Sequence, residues 1–450
     1  MLREVWSSKF GFVLSAMGSA IGLTNIVRFP YLVATNGGGT FLVVYILCLA
    51  LISYPILATE IVIGRTTNQS PAGAFLMLTK SRFWYNAGRF VIYVGLIVSG
   101  FYSVITAWIF GYLVEFSSGN HKVLMSMSAS EEFYSKMIKS PELSVSLHGL
   151  VILLCVAALY FGVRKGIERV SKVLMPIMIL LVFYLVYVAI KLPNATQGLG
   201  VLLHFDWQQI SLQTILAALG QAFFTLSLGQ GTMITYGSYL SRKENILKLC
   251  LPIVIADTVV SLLATVMIFA IVHSTGMQAD VGLSLLFKTI PNMFGTMHFG
   301  MIIGIVFFTL VAIAALTSEM SAIEPVIAYF VDQKKFTRKK SVVFCCALTF
   351  MLGIPSALSY SSLANFKIMS RPILEFMDYI STGFLIPVSA LLSSIVLAWF
   401  WDIPTAVKEL DGLPHSSGNN SIKTLYFTVC VKYLAPIVVA IVSINGLVNY

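Results

Sequence analysis

Charge is what this sequence has least of. Lys, Arg, Asp and Glu together make up 11% of its 450 residues, against about 25% in a typical soluble domain. A soluble globular protein is thereby excluded. Cysteine is sparse too. Six are scattered through apolar stretches, and Cys345 and Cys346 are adjacent, so neither a metal-binding CxxC spacing nor a disulfide framework appears. There is no HExxH and no GxSxG. The six histidines (His121, His148, His204, His273, His298 and His415) stand apart from any nucleophile in sequence. These absences argue against a membrane enzyme. No linker or shift of composition divides the chain, so residues 1–450 read as one domain.

What is present is apolar length. Hydrophobic residues make up 58% of the chain and the mean hydropathy is +0.88. The runs are around 20 residues long and separated by short polar loops, which fits helices and not a barrel of alternating strands. Eleven spans are expected, at about 8–34, 39–64, 90–116, 146–162, 168–190, 213–240, 247–274, 299–331, 341–362, 373–401 and 424–448. The expected class is an all-α polytopic membrane protein. The first run is too long and wrongly flanked for a cleaved signal peptide, and is expected to remain.

The formal charge of +10 invites a nucleic-acid reading, which the placement of the basic residues opposes. With a cytoplasmic N-terminus, the inner segments hold Arg3 and Lys9; Arg65, Lys80, Arg82 and Arg89; Arg164, Lys165, Arg169 and Lys172; Arg242, Lys243 and Lys248; Lys334, Lys335, Arg338, Lys339 and Lys340; and Lys408 and Lys423. That is 20 of 29 basic residues, the positive-inside bias that orients a multi-pass protein in a plasma (bacterial inner) membrane. The lipid bilayer is the implied partner, with no nucleic acid and no obligate protein partner indicated. Outside, 117–145 forms the longest loop, and the half-apolar 276–297 suits a short helix pair dipping back toward the protein.

Two spans carry defects. The first contains "GSAIGLTN" at residues 18–25, and the sixth contains "TLSLGQG" at 225–231. They open consecutive sets of five helices, 8–190 and 213–401, with the eleventh at 424–448. Interrupted segments at corresponding places in two halves point to a transporter's binding site at an inverted-repeat interface. A lipid-facing break would leave backbone groups unsatisfied at several kcal/mol each, so broken backbone belongs around a polar cavity. There, free carbonyls suit a small cation and free amides a carboxylate. Gly18 and Gly22 could alternatively serve only close helix packing. Asn25 offers a side-chain oxygen to a cation, or an ordinary interhelical hydrogen bond. In the eighth span, Thr317 and Ser318 place adjacent hydroxyls one turn beyond Ala314, whose carbonyl back-bonding hydroxyls can leave free. Four acids lie in apolar sequence, Glu60, Asp257, Glu319 and Glu324, and intramembrane acids are functional candidates. Asp257 stands out because, apart from Lys248 at its edge, nothing else in its span is charged.

With these residues assembled, the chain resembles the neurotransmitter:sodium symporter family, in particular its shorter bacterial amino-acid transporters. "REVW", "GSAIGLTNIVRFPY", "NGGGTF", "KGIERVSKVLMP", "GQAFFTLSLGQG" and "ALTSEMS" occur in family order from near the start to about Asp378. The resemblance implies a 5+5 inverted-repeat fold with broken helices 1 and 6. It implies a sodium-coupled symporter of neutral, hydrophobic or aromatic L-amino acids. Two Na⁺ ions are expected. One would use the carbonyls of Ala20 and Thr225, the side chains of Asn25, Thr225 and Asp257, and the substrate carboxylate. The other would use the carbonyls of Gly18, Ile21 and Ala314 and the hydroxyls of Thr317 and Ser318. Tyr102 resembles the tyrosine that binds the substrate carboxylate and Phe224 the aromatic lid, and Ala20, Gly22 and Thr225 would border the substrate as well. Val98, Ser227, Gln230, Ser318 and Ala322 resemble the side-chain pocket, which Gln230 and Ala322 would make roomier and more polar than in a leucine-transporting member. Arg28 and Asp378 resemble an outer gate, and Arg3, Trp6 and Asp332 an inner one. Gly166 and Pro176 resemble the ends of a stretch of helix 5 that unwinds.

Monoamine-transporting members carry an acid where Gly22 stands, so here the carboxylate at sodium is expected to arrive with the substrate. Tyr45, Gln221, Thr225 and Ser261 resemble a chloride-binding set, yet Asp257 stands where chloride-dependent members have a neutral residue. A fixed negative charge there implies chloride-independent transport. Glu319 departs from the family pattern, which has a small residue at that place. Rival readings are a proton-coupled amino-acid permease of the same fold and a non-transporting amino-acid sensor.

Overall fold

The computed structural model describes residues 4–119, 126–275, 282–411 and 421–448. Nine continuous helices among them are long and apolar enough to cross a membrane: Gly39–Thr67, Arg82–Ser117, Pro141–Leu159, Val163–Ile190, Ile246–Ser274, Gly300–Asp332, Arg338–Ala357, Ile373–Trp401 and Ile422–Ile444. Two broken helices accompany them. The first pairs Lys9–Ala20 with Thr24–Thr35 across a bend of 55°. The sixth pairs Leu212–Thr225 with Thr232–Gly237.

The helix starts follow local chemistry. Ser8 caps the first span by accepting from the Gly11 amide at 3.0 Å, and Ser211 forms a capping box with Thr214 ahead of the sixth. Each supplies a side-chain partner for a backbone group that the first turn leaves unsatisfied. The described part of 276–297 is one helical stretch, Leu285–Thr289 running into Ile290–Thr296, and not the expected pair. It packs against a helix that periodicity did not indicate, Met127–Lys139, where Tyr134 stacks on Phe287 with centroids 5.5 Å apart. All six cysteines are buried and free.

The long third and eighth spans pack against each other and form the scaffold. Around it, glycines set the closest approaches. A Cβ on Gly64 would lie 1.8 Å from the Ile234 carbonyl oxygen, and one on Gly237 2.3 Å from the Ile61 carbonyl oxygen. The second span and the inner half of the sixth therefore meet backbone to backbone, as small residues allow in membranes. Gly64→Ala is expected to destabilise the protein by about 1–3 kcal/mol through overpacking. A fall of several degrees in the melting midpoint in detergent would show it; an unchanged midpoint would contradict it.

The fifth span packs on the first in the same manner, with Glu168 over Gly11 and Met175 over Gly18. Its Gly166 lies in a wide π turn, Val163–Ile167, where a Cβ would meet the Ala158 carbonyl oxygen at 2.1 Å. Pro176 lies within the continuous helix Glu168–Ile190. The segment between these two residues is helical here.

Candidate functional site

The first break is narrower than 18–25. Helix continues through Ala20, Ile21 turns extended (φ −79°, ψ 108°), and a new helical segment begins at Thr24. The second break spans 226–231, with Ser227 (φ 52°), Gly229 (φ 71°) and Gly231 (φ 74°) in the left-handed region. Only glycine fits at 229, because a Cβ would lie 2.4 Å from the Ile386 carbonyl oxygen. Glu60 stabilises this break. Its Oε1 accepts from the Gly229 amide at 3.0 Å, and the side chain is fully buried.

The breaks face one another across three groups of residues. In the first, Ser318 Oγ lies 3.3 Å from each of the Gly18, Ser19 and Ile21 carbonyl oxygens. A hydroxyl has one hydrogen, so three carbonyls converge on a donor able to satisfy only one of them at a time. Ser227 Oγ also donates to the Ser19 carbonyl, at 2.7 Å. Thr317 Oγ1 lies 2.9 Å from the Ile313 oxygen and 3.2 Å from the Ala314 oxygen. The Ala314 carbonyl is thus shared with a hydroxyl and not free, as back-bonding was expected to leave it. This is a set of neutral, hard oxygens. Among the described residues no group of three or more His, Cys, Asp or Glu side chains could hold a transition metal, and such oxygens suit a hard cation instead.

The second group surrounds Asp257, wholly buried. Its Oδ1 accepts from Asn25 Nδ2 and Thr225 Oγ1, each at 2.7 Å, and its Oδ2 from Tyr45 Oη at 3.4 Å. Asn25 Nδ2 also lies 2.8 Å from Thr225 Oγ1 and 2.8 Å from Ser261 Oγ. The Asn25 oxygen, expected to face a cation, accepts from the Gly22 amide across the first break at 2.9 Å. Tyr45, Thr225 and Ser261 thus gather around the acid as anticipated. The Gln221 amide nitrogen donates to the Thr24 carbonyl at 3.4 Å.

The third group is a pocket lined by Ala20, Gly22, Val98, Tyr102, Phe224, Ser227, Gln230, Ser318 and Ala322, together with Ser19, Thr24 and Glu319. Thr225 is absent from this lining and belongs to the Asp257 cluster. A Cβ on Gly22 would lie 3.0 Å from Ser318 Oγ and 3.2 Å from Tyr102 Oη, so any side chain at 22 would fill the pocket. Ser19 escaped sequence reasoning, although its place between Gly18 and Ala20 in the interrupted stretch was a usable signal.

At the outer end, Arg28 is half-buried and Asp378 exposed, close enough for their charges to interact. At the inner end Arg3 lies outside the described residues. Trp6 donates to the Tyr236 carbonyl at 3.0 Å and packs edge-on against Phe12, Tyr236 and Tyr239. Asp332 accepts from the Ser70 amide at 2.8 Å. Three inner fasteners were not anticipated. Glu324 pairs with Arg338 at 2.6 Å and accepts from Tyr239 Oη at 2.7 Å. Glu168 accepts from the Ser7 amide at 2.7 Å and from the Ser7 hydroxyl, and pairs with Lys172 at 2.6 Å. Glu4 accepts from the Val163 amide. The chain ahead of the first span is thereby strapped to the fifth and sixth spans.

Comparison with known proteins agrees with this architecture. The model of the sodium:neurotransmitter symporter family matches residues 3–122 and 116–450. An uncharacterized sodium-dependent transporter, YhdH, from Bacillus subtilis is 35% identical over 443 residues, covering 98% of this chain and 97% of the relative. The sodium-dependent dopamine transporter of Bos taurus is 25% identical over 503 residues, covering 98% and 69%. Among solved structures, MhsT in complex with L-phenylalanine superposes with a TM-score of 0.89 at 34% identity, covering 99% of this chain and all of that one. Two facing helix breaks, a polar pocket between them and similarity along the whole chain lead to one conclusion: this polytopic all-α membrane protein belongs to the sodium:neurotransmitter symporter family, whose members are sodium-coupled transporters and not enzymes.

Proposed function

We propose that the protein is a symporter that couples inward movement of Na⁺ to uptake of a neutral L-amino acid with a hydrophobic or aromatic side chain, by alternating access. One observation carries this: nine residues expected to touch substrate line a single pocket at the two breaks, between the carbonyl-rich and Asp257 clusters. The solved relative that holds L-phenylalanine supports the substrate class. Sodium and the amino acid are both cargo here. One Na⁺ would be held by the carbonyls of Gly18, Ile21 and Ala314 with Thr317 and Ser318. A second would be held by the carbonyls of Ala20 and Thr225 with Asn25, Thr225, Asp257 and the substrate carboxylate.

In this reading Tyr102, whose hydroxyl accepts from the Leu23 amide at 3.4 Å, holds the substrate carboxylate, and Phe224 closes over it. Arg28 and Asp378 close the outer end, and Trp6, Asp332 and Arg3 the inner one. The stretch from Gly166 to Pro176 loosens to open the inner route past Gly18, which Met175 covers. Residues 1–450 act as one transporter domain, its repeats at about 8–190 and 213–401, in the plasma membrane with a cytoplasmic N-terminus. Each Na⁺ moving through a 100 mV potential contributes about 2.3 kcal/mol, so two ions support steep accumulation.

The test is uptake of radiolabelled L-phenylalanine into proteoliposomes. Uptake with external Na⁺ and none with external K⁺ is expected; uptake driven by a proton gradient without Na⁺ would overturn sodium coupling. Because Asp257 supplies a fixed carboxylate beside Tyr45, Thr225 and Ser261, replacing chloride with gluconate is expected to leave the rate within about twofold, well under the factor of ten that 1.4 kcal/mol represents. Collapse of uptake in gluconate would refute chloride independence.

A further inference from the structure

Glu319 lines the same pocket as Ser318 and Ala322 and is wholly buried. The Ser99 hydroxyl donates to its Oε1. Its Oε2 is buried without a hydrogen-bond partner among the described residues. Nor does any ion pair reach it there; the buried acid further along the same helix, Glu324, has Arg338 instead.

The serines that line the pocket are engaged. The Ser227 hydroxyl donates to the Ser19 carbonyl at 2.7 Å, and Ser321 donates to Ser19 Oγ at 2.8 Å and to the Ser318 carbonyl at 2.7 Å. The Ser318 hydroxyl faces the carbonyls of the first break. Glu319 adds one uncommitted acceptor to a pocket that Val98, Phe224, Gln230 and Ala322 also line. A buried acceptor with no donor costs free energy that a ligand carrying one donor recovers. A lysine ammonium brings three donors and an arginine guanidinium five, most of which would go unpaired against a single oxygen. A phenol or an indole brings one.

We propose that Glu319 sets side-chain specificity, its uncommitted carboxyl oxygen accepting a hydrogen bond from the O–H or N–H of an aromatic substrate side chain. The inference rests on the amino-acid symport reading and refines it: the preferred substrate carries a phenol or an indole, as tyrosine and tryptophan do, and not a bare phenyl ring. Sites built to hydrogen-bond a substrate hydroxyl discriminate strongly against the analogue lacking it, because their polar group is then left unpaired.

The experiment is equilibrium binding of L-phenylalanine, L-tyrosine, L-tryptophan and L-lysine to the purified full-length protein in Na⁺. Tyrosine or tryptophan is expected to bind at least about tenfold more tightly than phenylalanine, consistent with recognition of a substrate O–H or N–H. In Glu319→Leu, which removes the acceptor, that ratio is expected to fall toward one. Glu319→Gln keeps an acceptor oxygen and is expected to keep most of the ratio, which also covers the case of an unstable leucine variant. Equal wild-type affinity for all three aromatic substrates would overturn the proposal. So would preference for lysine, or a Glu319→Leu ratio equal to wild type. Na⁺-dependent phenylalanine binding without discrimination would sink this inference alone, whereas no Na⁺-dependent binding of any of the four would sink the symport reading beneath it as well.

Discussion

Gly22→Asp is expected to reduce L-phenylalanine uptake by about a hundredfold, the equivalent of roughly 2.7 kcal/mol. Two effects add. Even the first carbon of the new side chain would stand 3.0 Å from Ser318 Oγ and 3.2 Å from Tyr102 Oη, and overpacking of this kind costs about 1–3 kcal/mol. The new carboxylate would also lie where the substrate's own is expected, so the two like charges would compete for the same cation and amides. An amine lacking a carboxylate escapes the second effect. Phenethylamine is therefore expected to gain on phenylalanine as a competitor in the variant. The measurement is uptake with both compounds, beside a Na⁺-induced thermal shift to establish folding. Phenylalanine uptake within about threefold of wild type, under 1 kcal/mol, would show that Gly22 does not border the substrate.

Ser318→Ala is expected to raise the Na⁺ concentration for half-maximal uptake at least about tenfold. The hydroxyl is the shared centre of the Gly18, Ser19 and Ile21 carbonyls, all at 3.3 Å. Removing it deletes one of the oxygens offered to the ion. A tenfold shift corresponds to 1.4 kcal/mol, on the order of one contact to a charged group. Thr317→Val tests the neighbouring oxygen separately, since its hydroxyl serves Ile313 and Ala314 on its own helix and not the break. A Na⁺ titration of uptake for each variant decides the matter. An unshifted midpoint in Ser318→Ala would remove this cluster from sodium binding.

Much of the fold was legible because the bilayer is an unforgiving solvent. A run of around 20 apolar residues has few alternatives to a helix, so the span limits read from sequence agree with the structure to within a few residues for most helices, the third being the widest miss at its inner end (82 against 90). The breaks were legible for the same reason: glycines and an asparagine are out of place in a lipid-facing helix. The outer helix Met127–Lys139 was not, because its amphipathic pattern lies in a polar loop where no solvent constraint forces one reading. Asn25 shows a different limit. Its residue type announced a polar role, but which end of its amide faces Asp257 depended on one backbone amide and on side chains from two other spans.

From sequence alone came the membrane class, the eleven spans, the two defects and the residue types collected for ions and an amino acid, since each rests on local composition or on spacing along one helix. The tertiary structure decided the rest. Only packing could leave Glu319 with a spare oxygen while giving Glu324 an arginine, although both acids stand in the same apolar helix five residues apart. Only packing could tie Glu4 and Glu168 across the chain's first residues. Burial and partnership are properties of the helix on the other side of a contact, and a single sequence does not record which helix that will be.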